Sequence, residues 1–477
     1  MKQAEGHRSE IMGQGRIMGL LLRFSGPAIL ANLVQASFNI VDTAFVSRLG
    51  LAPLAAMAIA YPLMIVYNAL GQAIGTGAAS IISRRLGAGR HEDANRAAAN
   101  AITTFFLFGG ILTVICLVSL RFLMRIFGAS DEVMPHALSY MRVETAFLVV
   151  NFFLMVLVDL IRAEGNPVLA STASIVSMLG NLVFDPLLGF GIGPFPMMGM
   201  AGFALATTVG RGLGIAILLV YLSSRRSSYR FQPSYFIPNF KLIGEIFRIG
   251  TTRFVQQAGQ ALTRSVDNNI AVSFGTAPLA VVGVLFKIRD LFVQPSTGLG
   301  QGMMPLIGYN YGAHKKERVG EIVVKAGLVS FAWGATCWLV MLLFTAPILS
   351  VFGSDPGYLT LGIAASRIFS LTFFFTGTQM ALNYFFQGLG RAVASLIVAS
   401  SRQFFFILPL VLLFSRIFGL NGIWIAYPVG NFLSLTLTLI WIVAECRSQE
   451  IPLRLRYKEP PQESLIKLTP EDLGSPD

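Results

Sequence analysis

The chain has 477 residues, of which 54% are hydrophobic and only 13% are charged. An ordinary soluble domain carries about 25% charged residues, so this composition excludes a soluble fold and indicates a protein that crosses a membrane many times. The formal charge of +12 does not indicate nucleic-acid binding, because the basic residues lie in short patches between apolar runs. Cys116, Cys337 and Cys446 show no metal-ligand spacing, and we expect them to pack in the interior.

Twelve apolar stretches recur along the chain, each long enough to cross a bilayer as a helix of about 20 residues. The fold class is therefore predicted to be an all-α integral membrane protein with twelve transmembrane helices. The predicted helices cover residues 17–47, 54–82, 97–126, 134–161, 167–191, 197–222, 244–274, 279–308, 320–346, 357–386, 392–417 and 421–446.

The loops between these helices alternate in charge. One set of loops carries thirteen basic residues, whereas the other set offers Arg48 and Arg416, with Arg121 and Arg125 nearby. Cytoplasmic loops are enriched in Lys and Arg, so the basic set and both chain termini are expected in the cytoplasm. The thirteen residues are Arg84, Arg85, Arg90, Arg96, Arg162, Arg225, Arg226, Arg230, Lys241, Lys315, Lys316, Arg318 and Arg391.

An internal repeat relates the two halves of the chain. With a shift of 225 residues, VDTAFVSRLGLAPLA at 41–55 aligns with VDNNIAVSFGTAPLA at 266–280. Each half contains an even number of spans, so both halves face the same way, and a pseudo-twofold axis along the membrane normal is expected to relate them. The predicted units are a cytoplasmic segment 1–16, a first lobe 17–222, a linker 223–243, a second lobe 244–446 and a disordered cytoplasmic tail 447–477.

Two parallel lobes suit alternating access, in which the lobes rock around a cavity near the midplane. The sequence contains no nucleotide-binding loop of the G-x-x-x-x-G-K-[ST] type, so an ion gradient is the expected source of energy. A polyprenyl transferase would need clustered acids for Mg²⁺, such as D-x-x-x-D, and none is present. The prediction is a secondary active transporter, not an enzyme, which uses H⁺ or Na⁺ as coupling ion and needs no other cofactor.

Six acids fall within predicted spans, where an ionisable residue is costly and is a functional candidate. Three of them have a basic residue three positions away on the same helix face, which predicts structural ion pairs. These pairs are Asp159 with Arg162, Asp267 with Arg264, and Asp290 with Lys287. Glu144 has Arg142 two residues away, on another face, and its role stays open.

Asp42 and Asp185 have no basic residue three or four positions away, and both are expected in the outer half of the first lobe. Asn39 and Asn181 share their helix faces. Two carboxylates with amide oxygens nearby form a hard-oxygen environment that suits a proton or Na⁺. In the alternative interpretation, neighbouring helices satisfy both acids by hydrogen bonds.

The repeat indicates that this chemistry belongs to the first lobe. Asp42 aligns with the paired Asp267, and Asp185 has no acidic counterpart. Pro27 aligns with Thr252, so the first predicted helix can bend where the seventh need not. Pro186 also disfavours helical geometry at Asp185, which predicts free backbone carbonyls beside that acid.

Four stretches together resemble the MATE (multidrug and toxic compound extrusion) transporters, in particular their DinF-like and MepA-like branch. They are FSGPAILANLVQASFNIVDTAFVSRLG at 24–50, GNLVFDPLLGFG at 180–191, FKIRDLFVQPSTGLGQGMMPLIGYNYGA at 286–313 and QGLGR at 387–391. The resemblance covers roughly residues 15–446, in order and without large gaps.

This resemblance implies a twelve-helix antiporter that exports organic, often cationic, compounds in exchange for H⁺ or Na⁺. It implies a cation-coupling site at Asp42, Asn181, Asp185 and Thr207, which could hold Na⁺, with Tyr140 nearby and Pro27 as the hinge of the first helix. The second-lobe acids of the NorM-like branch are missing here, since the seventh helix offers Gln256 and Gln257 and the tenth carries Arg367.

The expected setting is the inner (plasma) membrane of a bacterium, with small organic molecules and the lipid bilayer as partners, no nucleic acid, and a monomeric protein. The alternative function is a lipid-linked oligosaccharide flippase of the same superfamily, which would use a cavity rich in arginine. Candidate residues for such a cavity are Arg211, Arg253, Arg264, Arg289, Arg367 and Arg402.

Overall fold

The structure, a computed structural model, describes residues 10–224, 226–353 and 355–455, apart from the side chains of Ile40 and Thr276. Within these ranges the chain forms twelve long helical rods and no strand, which confirms the all-α prediction. They are α1 (Ile17–Ser47), α2 (Leu51–Gly87), α3 (His91–Ile126), α4 (Met134–Ala146 and Leu148–Ala163), α5 (Pro167–Phe190), α6 (Met200–Ser223), α7 (Phe240–Ser273), α8 (Thr276–Gly312), α9 (Lys316–Ser350), α10 (Pro356–Phe369 and Thr372–Leu389), α11 (Ala392–Phe418) and α12 (Asn421–Ser448).

Four of the helices are interrupted, among them α9, which is kinked at Phe344 (φ −119°, ψ 22°). The two segments of α4 meet at 53° and those of α10 at 50°, and α11 contains a π-helical stretch, Ser401–Ile407. Among the described residues, eight helices are long and apolar enough to cross a membrane, or ten when each bent pair counts as one span. The remaining two, α7 and α8, carry several charged residues along their length.

The packing of the helices is symmetric between the two halves of the chain. Helix α1 packs on α8, its repeat equivalent α7 packs on α2, and α2 packs on α8 between the lobes. The exchanged pairs α1–α8 and α2–α7 are what a twofold axis between the lobes requires. The turns also match, because Gly50 and its equivalent Gly275 adopt φ of 119° and 120°, a backbone conformation that favours glycine.

Glycines allow the two lobes to approach closely. A Cβ atom at Gly87 would collide with the backbone oxygen of Tyr309, and one at Gly312 would collide with the backbone oxygen of Arg84. The two contacts are repeat equivalents, because a shift of 225 residues places Gly87 on Gly312 and Arg84 on Tyr309. The repeat therefore encodes a symmetric, glycine-lined interface in which backbones meet directly.

The two ends of the bundle differ in how the lobes meet. We call the end that carries the turns at Gly89, Gly165, His314 and Gly390 and the inter-lobe linker the basic end, and the other the opposite end. The main apolar core contains the first lobe together with the basic-end half of the second lobe. The opposite-end half of the second lobe forms a separate core. The described side chains thus join the lobes at the basic end, and the lobes separate towards the opposite end.

Segments outside the helices also pack at the basic end. Asn100 of α3 donates to the carbonyl of Tyr235 at 2.9 Å and accepts from the backbone of Asn239 at 2.8 Å, which anchors the linker. Helix α12 runs to Ser448, and the chain then packs through the buried Ile451, so the expected disorder does not extend over the residues up to 455. Residues 1–9 and 456–477 of the predicted terminal segments, and Arg225, lie outside the described residues.

Candidate functional site

The core of the site lies between α5 and α6. Asn181 donates from Nδ2 to Oδ1 of Asp185 at 2.6 Å, and Thr207 of α6 donates to Oδ1 of Asn181 at 3.4 Å. The helices come this close because α6 has Gly210 here, where a Cβ would lie 2.5 Å from the carbonyl oxygen of Ser177. The structure therefore brings together three of the four residues predicted to hold the ion.

Asp185 is fully buried, and its second carboxylate oxygen, Oδ2, has no hydrogen-bond partner among the described residues. Helix α5 continues through Asp185 and Pro186, so the expected break in the helix at Asp185 is wrong. Packing against α6 keeps this backbone helical in spite of the proline. The free oxygen of Asp185 is the vacant side-chain acceptor at this position.

Asp42 joins this group from α1, which packs on α5. It lies within range of Asp185 and Tyr140 for direct charge interaction, and its side chain is half-buried. Tyr140, on α4, is 7% exposed. Asn39, the predicted polar neighbour of Asp42, is exposed and accepts a hydrogen bond from Gln35 at 3.0 Å, because both side chains lie one turn apart on the outer face of α1.

Two charged residues lie near Asp42 that were not assigned to this site from the sequence: the role of Glu144 was left open, and Arg211 was named only for a flippase cavity. Glu144 of α4 is fully buried, accepts from Asn151 at 2.8 Å, and lies within charge-interaction range of Asp42. Arg211 of α6 lies in the same range of Asp42 and Glu144, and its guanidinium stacks 4.8 Å from the ring of Phe152. The sequence did contain a signal for Arg211: it follows Thr207 by four residues, so the two side chains share one face of α6.

Pro27 lies about 22 Å from Asp42 along α1, at 1.5 Å per residue. Helix α1 is continuous from Ile17 to Ser47 and passes through the proline without interruption. On either side of Pro27 the helix contacts α8, because Ser25 donates to the carbonyl of Leu299 at 3.2 Å and Ile29 packs on Gly298. The proline is therefore placed inside the contact between the lobes.

The predicted in-helix ion pairs are only partly correct. Arg162 pairs with Asp159 at 3.0 Å, as predicted. Asp290 instead pairs with Arg264 and, at 2.9 Å, with Arg289, whereas Lys287 is exposed. The predicted pairs Asp267–Arg264 and Asp290–Lys287 are therefore wrong. Helices α7 and α8 pack side by side, and this lets Arg264 of α7 reach Asp290 of α8.

Asp267, the repeat equivalent of Asp42, also has a partner other than the predicted Arg264. With Arg264 bound to Asp290, Asp267 accepts a hydrogen bond from the Tyr427 hydroxyl at 2.5 Å, and its other oxygen has no partner among the described residues. Asp267 is fully buried. A tyrosine hydroxyl therefore replaces the arginine as its direct partner.

Only some of the arginines named for a flippase cavity lie near one another. Arg253 donates to Gln256 at 3.3 Å and stacks 4.2 Å from the ring of Tyr384, and Arg367 is exposed. Arg211 lies in the first lobe, and Arg264 and Arg289 share Asp290. Arg402 lies within charge-interaction range of Arg289, so three of the six arginines are neighbours in the second lobe, and the six together do not form one cavity.

The donors at the first-lobe site are all oxygen atoms: carboxylates of Asp42 and Asp185, the amide oxygen of Asn181 and the hydroxyl of Thr207. Oxygen donors of this kind suit a hard cation or a proton. In the described parts of the chain, no three His, Cys, Asp or Glu side chains cluster as metal ligands. The three cysteines are buried and free, in agreement with their predicted packing role.

Comparisons with known proteins agree with the repeat. The MatE family model matches residues 27–187 and again residues 254–413, one match in each lobe. The multidrug export protein MepA of Staphylococcus haemolyticus is 25% identical over 433 residues, which cover 88% of this chain and 93% of that protein. The corresponding protein of Staphylococcus aureus strain N315 is 24% identical over 421 residues, covering 84% and 88%.

Among solved structures, an outward-facing multidrug resistance MATE family transporter of the MOP superfamily superimposes with a TM-score of 0.87. It is 24% identical in sequence, and the match covers 93% of this chain and 99% of that one. At this identity the likeness supports the fold, with its twelve helices in two lobes.

Proposed function

Because this chain belongs to the MatE family of membrane transporters, we propose that it exports organic compounds, cationic ones among them, in exchange for H⁺ or Na⁺. The observation that carries this proposal is the buried Asp185, which has one oxygen bound to Asn181 and the other without a partner, close to Asp42. The names of the staphylococcal relatives support drug export, and they favour a bacterial plasma membrane as its location.

The proposed cycle uses the separation of the lobes at the opposite end. The excess of Lys and Arg at the basic end favours a cytoplasmic position for that end and for both termini. A cation then enters from outside and binds at Asp42 and Asp185. Only a difference in affinity between two conformations can shift their equilibrium, so ion binding must favour the state that releases the drug.

Pro27 is the proposed hinge of this shift. A proline inside a helix removes one backbone hydrogen bond, which lowers the cost of bending there. Because α1 carries Asp42 at one end and contacts α8 around Pro27, bending at the proline would couple ion binding to the contact between the lobes. The return through the inward-facing state would deliver the ion and collect new substrate.

H⁺ and Na⁺ use the same oxygen atoms in this proposal. Protonation of Asp42 or Asp185 competes with metal binding at these carboxylates. Thr207 and Asn181 complete the oxygen set for Na⁺, and the Asn181 amide orients Asp185 in either case. An imposed gradient of one ion at a time separates the two.

The test uses purified protein in proteoliposomes with an imposed pH gradient or Na⁺ gradient, and ethidium as the organic cation. Asp42→Asn and Asp185→Asn should each reduce gradient-driven ethidium transport to the level of empty liposomes, because an amide cannot take up or release the coupling proton and lacks the negative charge that holds Na⁺. Asp93→Asn, an exposed acid at the basic end, is the matched control and should transport like the parent. Full transport by the Asp42→Asn, Asp185→Asn double variant would refute the assignment.

A further inference from the structure

A buried arginine in the second lobe lacks a counter-charge. Arg402 lies in the π-helical stretch of α11 and is only 4% exposed. Among the described residues it has no hydrogen-bond or ion-pair partner, and its Nε is buried without an acceptor. A buried guanidinium without an acceptor costs several kcal/mol, and π-helical turns occur frequently at functional sites.

The charges around Arg402 do not balance. Arg402 lies within charge-interaction range of Arg289 and Asp290. Asp290 is already shared between Arg289 and Arg264, and Asp267 accepts from Tyr427. Three guanidinium groups therefore face two carboxylates, which leaves one positive charge uncompensated inside this lobe.

Exposure to solvent decreases along this group of charged residues. The side chains of Arg264 and Asp290 are 36% and 43% exposed, that of Arg289 is 11% exposed, and Arg402 is deeper still. The ring of Phe286 lies 4.7 Å from the Arg289 guanidinium and 5.7 Å from the ring of Phe369. Guanidinium groups on aromatic faces are well suited to hold a flat organic anion.

We propose that Arg402 and Arg289 form an anion subsite in the second lobe, which binds the carboxylate of an aromatic organic molecule. The subsite is opposite in charge to the first-lobe site, since α5 contributes an acid to that site and its repeat equivalent α11 contributes an arginine to this one, at a different position along the helix. The subsite extends the proposed function, because it gives the second lobe a role in selecting substrates that carry a negative group. Binding at the subsite is independent of that function, and only the transport of the bound molecule rests on it.

The binding test needs no gradient and no transport. The parent protein in detergent is titrated with benzoate and, separately, with benzamide, and binding is followed by isothermal titration calorimetry. The two probes have nearly the same shape and differ in the charge of one group. Benzoate should bind about 10- to 100-fold more tightly than benzamide, because hydrogen bonds to a charged partner are the stronger class.

Two variants test whether Arg402 causes the preference for benzoate over benzamide. Arg402→Gln should reduce the preference for benzoate to near one, and Arg402→Lys should retain a large part of it because the charge remains. Arg367→Gln, an exposed arginine on α10, is the matched control and should preserve the parent preference. Chloride should compete with benzoate in the parent and not in Arg402→Gln.

Equal affinity of the parent for benzoate and benzamide would overturn the proposal, and this result does not depend on the folding of any variant. An unchanged preference in Arg402→Gln would also overturn it. Because the assay measures binding alone, loss of coupling in Asp42→Asn proteoliposomes and loss of benzoate preference are separate results, and either proposal can fail while the other stands.

Discussion

The contact between α1 and α8 should control which end of the transporter is open, and Gly298→Ala tests this. A Cβ atom at position 298 would lie 2.7 Å from the backbone nitrogen of Ile29 and 2.8 Å from its Cα. Real Cβ atoms keep at least 3.0 Å from such neighbours, and ordinary contacts begin at 3.4 Å. Helix α1 would therefore have to move away from α8 by about 0.7 Å to restore ordinary packing.

The size of the effect follows from the cost of overpacking. An extra methyl group in a tightly packed contact costs about 1–3 kcal/mol, and here the cost applies to the state in which the lobes touch at the basic end. Since every 1.4 kcal/mol is a factor of ten, the ratio of closed to open molecules at this end should fall by about 5- to 150-fold.

The assay is a distance measurement between spin labels. The cysteine variants Glu92→Cys and Glu317→Cys, made after replacement of the three native cysteines, place labels at repeat-equivalent, exposed positions of the two lobes at the basic end. The Gly298→Ala protein should show a new, longer-distance population.

The control for this measurement is Gly283→Ala, the same change in the same helix, where a Cβ would meet no atom within 4 Å. It should reproduce the parent distances. Identical distance distributions for Gly298→Ala, Gly283→Ala and the parent would refute the reasoning that glycine contacts hold the lobes together.

Two further predictions concern stability, measured as the melting temperature of purified protein in one detergent. Asn100→Ala should destabilise the protein by about 1–3 kcal/mol, because the carbonyl of Tyr235 and the backbone N–H of Asn239 would both lose their partner. Tyr427→Phe should cost about 1–3 kcal/mol, because the fully buried Asp267 would lose its hydroxyl donor.

Each control makes a similar change where no hydrogen bond to another segment of the chain is lost. Tyr61→Phe removes a hydroxyl from a side chain that is 60% exposed, and Asn68→Ala removes only a bond within its own helix, to Met64. Both should melt close to the parent. A melting temperature for Asn100→Ala or Tyr427→Phe that matches its control would contradict the assigned role of that hydrogen bond.

The sequence by itself determined the helical architecture and predicted the residues of the first-lobe site. Low charge content and twelve apolar stretches require helices in a bilayer, since only internally bonded backbones can cross it. The shift of 225 residues predicted two equivalent lobes, and the family model matches once in each. Asp42 and Asp185 were identified because no basic residue lies one turn away from either, a test that needs only helix geometry.

The tertiary structure decided the partners across helices. Pairing an acid with a basic residue three positions away on the same helix was correct for Asp159 and Arg162. It was wrong for Asp267 and Asp290, because long side chains reach adjacent helices as easily as the next turn of their own helix. Spacing along one helix carries no information about which neighbouring helix packs against it.

The same reason explains the lobe interface and the unpaired arginine. The repeat aligned Gly87 with Gly312, but only packing revealed that each receives the backbone of the other lobe. Arg402 was one basic residue among several in the sequence. It became a candidate site once α7, α8 and α12 were placed around it, since a missing counter-charge is a property of everything within reach of a group in three dimensions.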